Sequence, residues 1–94
     1  PGQEGKPDAE SAEKYYGLGL TAYYAKKYTV AIENFEKAVK ASDTDARYRY
    51  FLALSLWGSG KKAEADVEFL RGRELELTNK PNFQSVSHSL TRIQ

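Results

Sequence analysis

The chain has 94 residues, no Cys and no Met, and 14 Lys and Arg against 13 Asp and Glu for a net charge of +1. That length admits one small domain and leaves no room for a second. The near-neutral balance supplies no bulk field for nucleic acid or anionic lipid, and the lack of Cys excludes disulfides, thiolate metal sites and a cysteine nucleophile together.

The hydrophobic share of 40% and aromatic share of 13% are those of a folding chain. No apolar run approaches the ~20 residues that span a bilayer, and no signal-peptide pattern opens the sequence, so no membrane partner is expected. The start at Pro1 and the lack of Met suggest a piece of a longer protein. A chain without Cys suits either redox compartment, so the sequence leaves localisation open.

In chain order, residues 1–10 (PGQEGKPDAE) carry Pro and Gly but no large apolar side chain, and read as a flexible lead or linker. Order is expected to begin near Asp8 or Ser11, either of which can cap a helix. Ala12 to Lys40 are helix formers without Pro, interrupted around Lys26, Lys27 and Tyr28, which predicts two helices and a tight turn. Asp43 to Leu77 repeats the arrangement, with the break at Gly58, Ser59 and Gly60. Leu52 and Leu56, then Val67 and Leu70, keep helical spacing, and no period-two segment appears, so the fold class is all-α. After Thr78, Asn79, Lys80 and Pro81, the apolar Phe83, Val86, Leu90 and Ile93 predict one amphipathic helix capped by Asn82.

Shifting the sequence by 34 positions aligns Ala12 with Ala46, Tyr16 with Tyr50, Leu18 with Leu52 and Leu20 with Leu54. It also aligns Lys27 with Lys61, Ala31 with Ala65 and Phe35 with Phe69. Gly19 meets Ala53, Tyr23 meets Trp57 and Ala38 meets Gly72, so small matches small and aromatic matches aromatic. With this period, and with Tyr15, Leu18, Gly19, Ala31, Phe35 and Ala38 at the motif places, the chain resembles the tetratricopeptide repeat family. Both copies lack the closing Pro, with Asp43 and Leu77 in its place, and the second departs further, with Arg49 for the aromatic residue.

The resemblance implies a TPR-like α-solenoid of two antiparallel helical hairpins plus a terminal helix. Its single domain covers residues 11–94, with repeats at 12–45 and 46–79 and a capping helix at 82–93. Proteins of this family hold peptides or helices on the concave surface lined by the first helices. That places Glu13, Tyr16, Gly17, Leu20, Tyr23 and Tyr24 inward, followed by Arg47, Tyr50, Phe51, Leu54, Trp57 and Gly58. Tyr16, Leu20, Tyr50 and Leu54 stand where one subset of the family carries a carboxylate clamp, so that clamp is absent.

The expected function is non-catalytic binding of a protein or peptide through Tyr16, Tyr23, Tyr24, Arg47, Tyr50 and Trp57, with Arg47 as an anionic contact. Tyr and Trp suit such a face because each brings large area and a polar tip. A second role stays open for Tyr16, Leu20, Tyr50 and Leu54: packing between neighbouring first helices, or cover by the lead or terminal helix. A homodimer or a scaffold segment of a longer repeat protein is the alternative function. Gly17 and Gly58 hint at a closely approached backbone, although Gly58 reads more plainly as a helix end.

No cofactor, metal or nucleic-acid partner is expected. His88 stands alone beside Ser87 and Ser89, without ligand spacing or a nucleophile's setting. Gly17 and Gly19 lie inside a helix and make no phosphate loop.

Overall fold

The computed structural model describes residues 8–78, which form four α-helices and contain no strand. These are α1 (Ala9–Tyr24), α2 (Tyr28–Ala41), α3 (Ala46–Gly58) and α4 (Lys62–Thr78). The fold of the described residues is all-α, and no described helix is long and apolar enough to cross a membrane. The capping helix expected at 82–93, and His88 with it, lie outside the described residues.

Helix α1 opens on Asp8, whose carboxylate accepts from Ser11 N at 3.2 Å and satisfies one of the orphan amides of the first turn. The helix therefore starts at Ala9, inside the stretch read as a lead. Asp8 N also donates to Ala41 O at 2.7 Å, tying the start of α1 to the end of α2.

Both tight turns close in the same way, one repeat period apart. Lys26 and Gly60 adopt positive φ, 63° and 90°. Lys27 N donates to Ala22 O at 2.8 Å, and Lys61 N donates to Leu56 O at 2.9 Å. This is the hydrogen-bond pattern that ends a helix on one left-handed residue. Glycine takes that conformation without strain, whereas Lys26 carries the Cβ penalty of roughly 1–2 kcal/mol.

Consecutive helices pack on each other: α1 on α2, α2 on α3 and α3 on α4, with a smaller meeting of α1 and α3. Small residues permit the close approach. Ala22, Ala31, Ala53 and Ala65 are buried together with Phe35, Leu52 and Leu56 in one cluster, and Ala12, Ala38 and Tyr48 form another. A Cβ added at Gly19 would lie 2.6 Å from the Phe35 ring, and one at Gly72 would lie 2.7 Å from the Tyr50 ring.

Equivalent positions differ where a neighbour is missing. Leu52 is buried, whereas Leu18, its counterpart on the outermost described helix, is half-exposed. Phe35 is fully buried beneath α1 and α3, but Phe69 is only partly buried. Val67 and Leu70, cited for their helical spacing, lie in α4 and are exposed.

Candidate functional site

The six residues expected to make one binding face separate into different environments. At the start of α3, Asp45 caps the helix by accepting from Arg47 N at 2.9 Å. The Arg47 guanidinium folds back onto the same carboxylate, reaching Asp45 Oδ2 at 2.6 Å, and meets Glu13 Oε2 at 2.6 Å. It also lies over the rings of Tyr16 and Tyr48, 4.8 and 5.4 Å from their centroids. Arg47 is thus held by two carboxylates and forms a strap between α1 and α3. Hydrogen bonding from Arg47 in turn holds the Asp45 carboxyl below its usual pKa.

Tyr16 packs against Phe35, Tyr48 and Phe51, with ring centroids at 6.0, 5.1 and 5.8 Å. Burial raises its hydroxyl pKa. Tyr50 lies against Phe69 and the Gly72 backbone, and its hydroxyl donates to Glu76. Tyr16 is partly buried between α1 and α3, the first helices of the two hairpins, whereas Tyr50 is partly buried against α4 of its own hairpin.

Tyr48, outside the expected face, is buried and donates its hydroxyl to Glu13 Oε2. Burial first, then this bond and the Glu13 charge, raise its pKa well above the ordinary tyrosine value. The folded chain therefore keeps a proton that the unfolded chain releases above about pH 10. Stability from this group is complete below that pH and falls as pH rises towards the folded pKa. Tyr48→Phe is expected to lose about 1 kcal/mol at pH 8 and to show a shallower decline of the urea midpoint between pH 9 and 11 than the wild type.

The remaining aromatics gather where α1 ends, α2 begins and α3 ends. Tyr23 meets Tyr24, Tyr28 and Phe51 in edge-to-face contacts at 5.2, 6.0 and 5.7 Å. Gly58 lets the Tyr28 ring lie against its backbone, since a Cβ there would fall 2.6 Å from the ring. Gly58 is the last residue of α3, as its helix-end reading expects, and is also the point where Tyr28 approaches the backbone. Next to it, Trp57 is 50% exposed with Lys62 Nζ 4.9 Å over its ring, and Tyr24 is 72% exposed. Tyr23 is partly buried and braces Tyr24. Arg47 lies near the opposite end of α3 from Trp57, ~15 Å along the axis, so the two do not share a contact point.

Sequence reasoning left out Tyr28 and Lys62 as site residues. They occupy equivalent places in the two repeats, and each lies over the end of α3, one on Gly58 and the other on Trp57. Gly17 is exposed, and a Cβ there would meet nothing within 4 Å. Gly17→Ala is therefore expected to raise stability by about 0.5–1 kcal/mol through helix propensity, read as a higher thermal midpoint.

Among the described residues no group of His, Cys, Asp and Glu could hold a metal ion. Comparison with protein-family models, with curated proteins and with solved structures gave no match.

Proposed function

We propose that the chain is a two-repeat tetratricopeptide-type α-solenoid segment that acts as a non-catalytic interaction module, binding a peptide or helix through the aromatic cluster of Tyr23, Tyr24 and Trp57. The fold reading is supported by the two turns that coincide at the repeat spacing, with small residues at matched places in both halves. The functional reading rests on one observation: Tyr24 and Trp57 are large and open to solvent, Tyr24 set against the Tyr23 ring and Trp57 beneath the Lys62 ammonium. Anchored aromatics of this kind contribute binding energy at low entropy cost. Three of the ionisable groups with shifted pKa values, Asp45, Arg47 and Tyr48, belong to the strap between α1 and α3, which favours a structural role for them over a catalytic one.

The test is selection from a displayed peptide library, followed by titration read on the intrinsic fluorescence of Trp57, the only Trp in the chain. Trp57→Ala and Tyr24→Ala are expected to weaken binding by at least about tenfold with helical circular dichroism unchanged, Trp57→Ala being read by calorimetry. A peptide that binds both variants as tightly as the wild type would remove the aromatic cluster from the function.

A further inference from the structure

The four helices start in two different ways. Asp8 and Asp45 cap α1 and α3 with side chains that accept from Ser11 N and Arg47 N. Helices α2 and α4 follow Lys27 and Lys61 instead, whose backbone carbonyls accept the first intrahelical bonds, from Ala31 N and Ala65 N at 2.9 and 3.0 Å. A lysine side chain has no acceptor to offer the orphan amides, and α2 has neither a side-chain cap nor an acidic residue in its first turn. An ammonium beside the positive end of a helix dipole is unfavourable as well. The backbone does not demand it: Asp8 caps α1 from φ −122°, ψ 86°, near the φ −93°, ψ 74° of Lys27. Matched places in both repeats thus hold a residue that helix stability alone disfavours.

The two turns that carry these lysines sit at one end of the hairpin pair, because Tyr28, which opens α2, lies against Gly58, which closes α3. Lys26, Lys27, Lys61 and Lys62 are all exposed there, and Lys62 stands over the Trp57 ring. Among the described residues none of the four makes an ion pair, while Glu13, Asp45 and Glu68 are engaged by arginines elsewhere. The first turns of α2 and α4 hold a single carboxylate, Glu64, with Glu33 and Asp66 in the turns that follow. A chain of net charge +1 therefore gathers its unpaired cations beside its open aromatic rings.

Building on the proposed peptide binding, on which this inference rests, we propose that the partner is an acidic peptide. An apolar side chain of it seats on Tyr24 and Trp57, and Asp or Glu residues flanking that anchor lie along Lys26, Lys27, Lys61 and Lys62. The rings supply anchoring area, and the lysines supply steering and selection of charge. Bilayers are bound along the apolar face of an amphipathic helix. Here the apolar groups are two rings among lysines at the helix ends, an area suited to one peptide side chain.

The probe is a short fluorescein-labelled peptide of Asp and Glu around one Phe, titrated with the full chain and read by anisotropy. It is expected to bind at least about tenfold more tightly than the same peptide with Lys for its acids or Ala for its Phe, and to weaken at least about tenfold between roughly 0.05 and 0.5 M salt. Lys27→Asp with Lys61→Asp is expected to reduce that affinity at least about tenfold while raising the thermal midpoint, because both helices gain a capping side chain. No preference for the acidic probe, or unchanged affinity in the double variant, overturns the proposal. A lower midpoint would make the lysines structural and count equally against it. Peptides selected on the wild type separate this inference from the reading beneath it. Ligands that need Tyr24 and Trp57 but carry no acids and ignore the lysine substitutions keep the peptide site and overturn its acidic class. Ligands indifferent to Trp57→Ala and Tyr24→Ala overturn the site itself. Tighter binding of phosphatidylserine vesicles or of a single-stranded oligonucleotide than of any acidic peptide would give the lysines to a membrane or a nucleic acid, and overturn the proposal too.

Discussion

Phe35→Ala is expected to lower the stability of the domain by about 3–5 kcal/mol, the range for removing a buried phenylalanine from a core that relaxes only in part. The ring is fully buried and lies directly on the Gly19 backbone of α1. It is flanked by Tyr16 at 6.0 Å and Phe51 at 5.8 Å, so one side chain joins α1, α2 and α3. The helices around the hole are held apart by Ala22, Ala31 and Ala53, all already at close approach, which leaves little room to collapse. A domain of this size has about 5–15 kcal/mol of stability in total, so the loss is readable as a large drop in urea midpoint. A variant whose midpoint falls by less than about 1 kcal/mol equivalent would show that the cavity collapses or that the ring is not the joint between the helices.

Phe35 was legible from the sequence because a repeat places the same ring beside the same small residues twice. The turns were legible for a similar reason: Lys26-Lys27 and Gly60-Lys61 interrupt helix formers at the same offset, and one left-handed residue closes each. Periodicity gives a helix its faces but does not say which neighbour covers each face. Val67 and Leu70 have sound helical spacing, yet α3 packs on another side of α4 and leaves them open. Arg47 shows the same limit in electrostatics. Its carboxylate partners are the adjacent cap Asp45 and Glu13 of the preceding repeat, and only the folded α1–α3 contact brings the second one to 2.6 Å. Gly58 next to a turn reads as a terminator, while its contact with Tyr28 depends on how α2 starts against α3. The helices and the central ring thus follow from local pattern and repetition, whereas the sorting of the aromatic residues into strap, packing and open surface follows from helix pairing.

Glu68→Ala is expected to be the second most damaging substitution, costing about 2–4 kcal/mol. Glu68 Oε1 accepts from Arg49 Nη1 and Oε2 from Arg71 Nη1, both at 3.0 Å. Arg71 is more than half exposed and falls back on water when its partner goes. Arg49 cannot, since its side chain is 18% exposed and its Nε is buried without a hydrogen-bond partner. Removing the carboxylate leaves that guanidinium uncompensated, which is where the loss arises. Arg49 and Glu68 are the second-repeat counterparts of Tyr15 and Asn34, so this half of the chain holds an ion pair where the other holds a partly buried aromatic and an amide. An ion pair in that place is not required for packing, and Arg49→Met with Glu68→Met together is expected to lie within about 1 kcal/mol of the wild type. The two single substitutions and the double, measured by urea unfolding, form a cycle whose coupling reports the interaction. Because the pair is shielded, the coupling should persist in about 1 M salt at roughly its low-salt value, unlike that of the exposed Arg47–Glu13 pair. A Glu68→Ala midpoint equal to the wild type would mean that water reaches Arg49, and that the ion pair merely decorates the contact between α3 and α4.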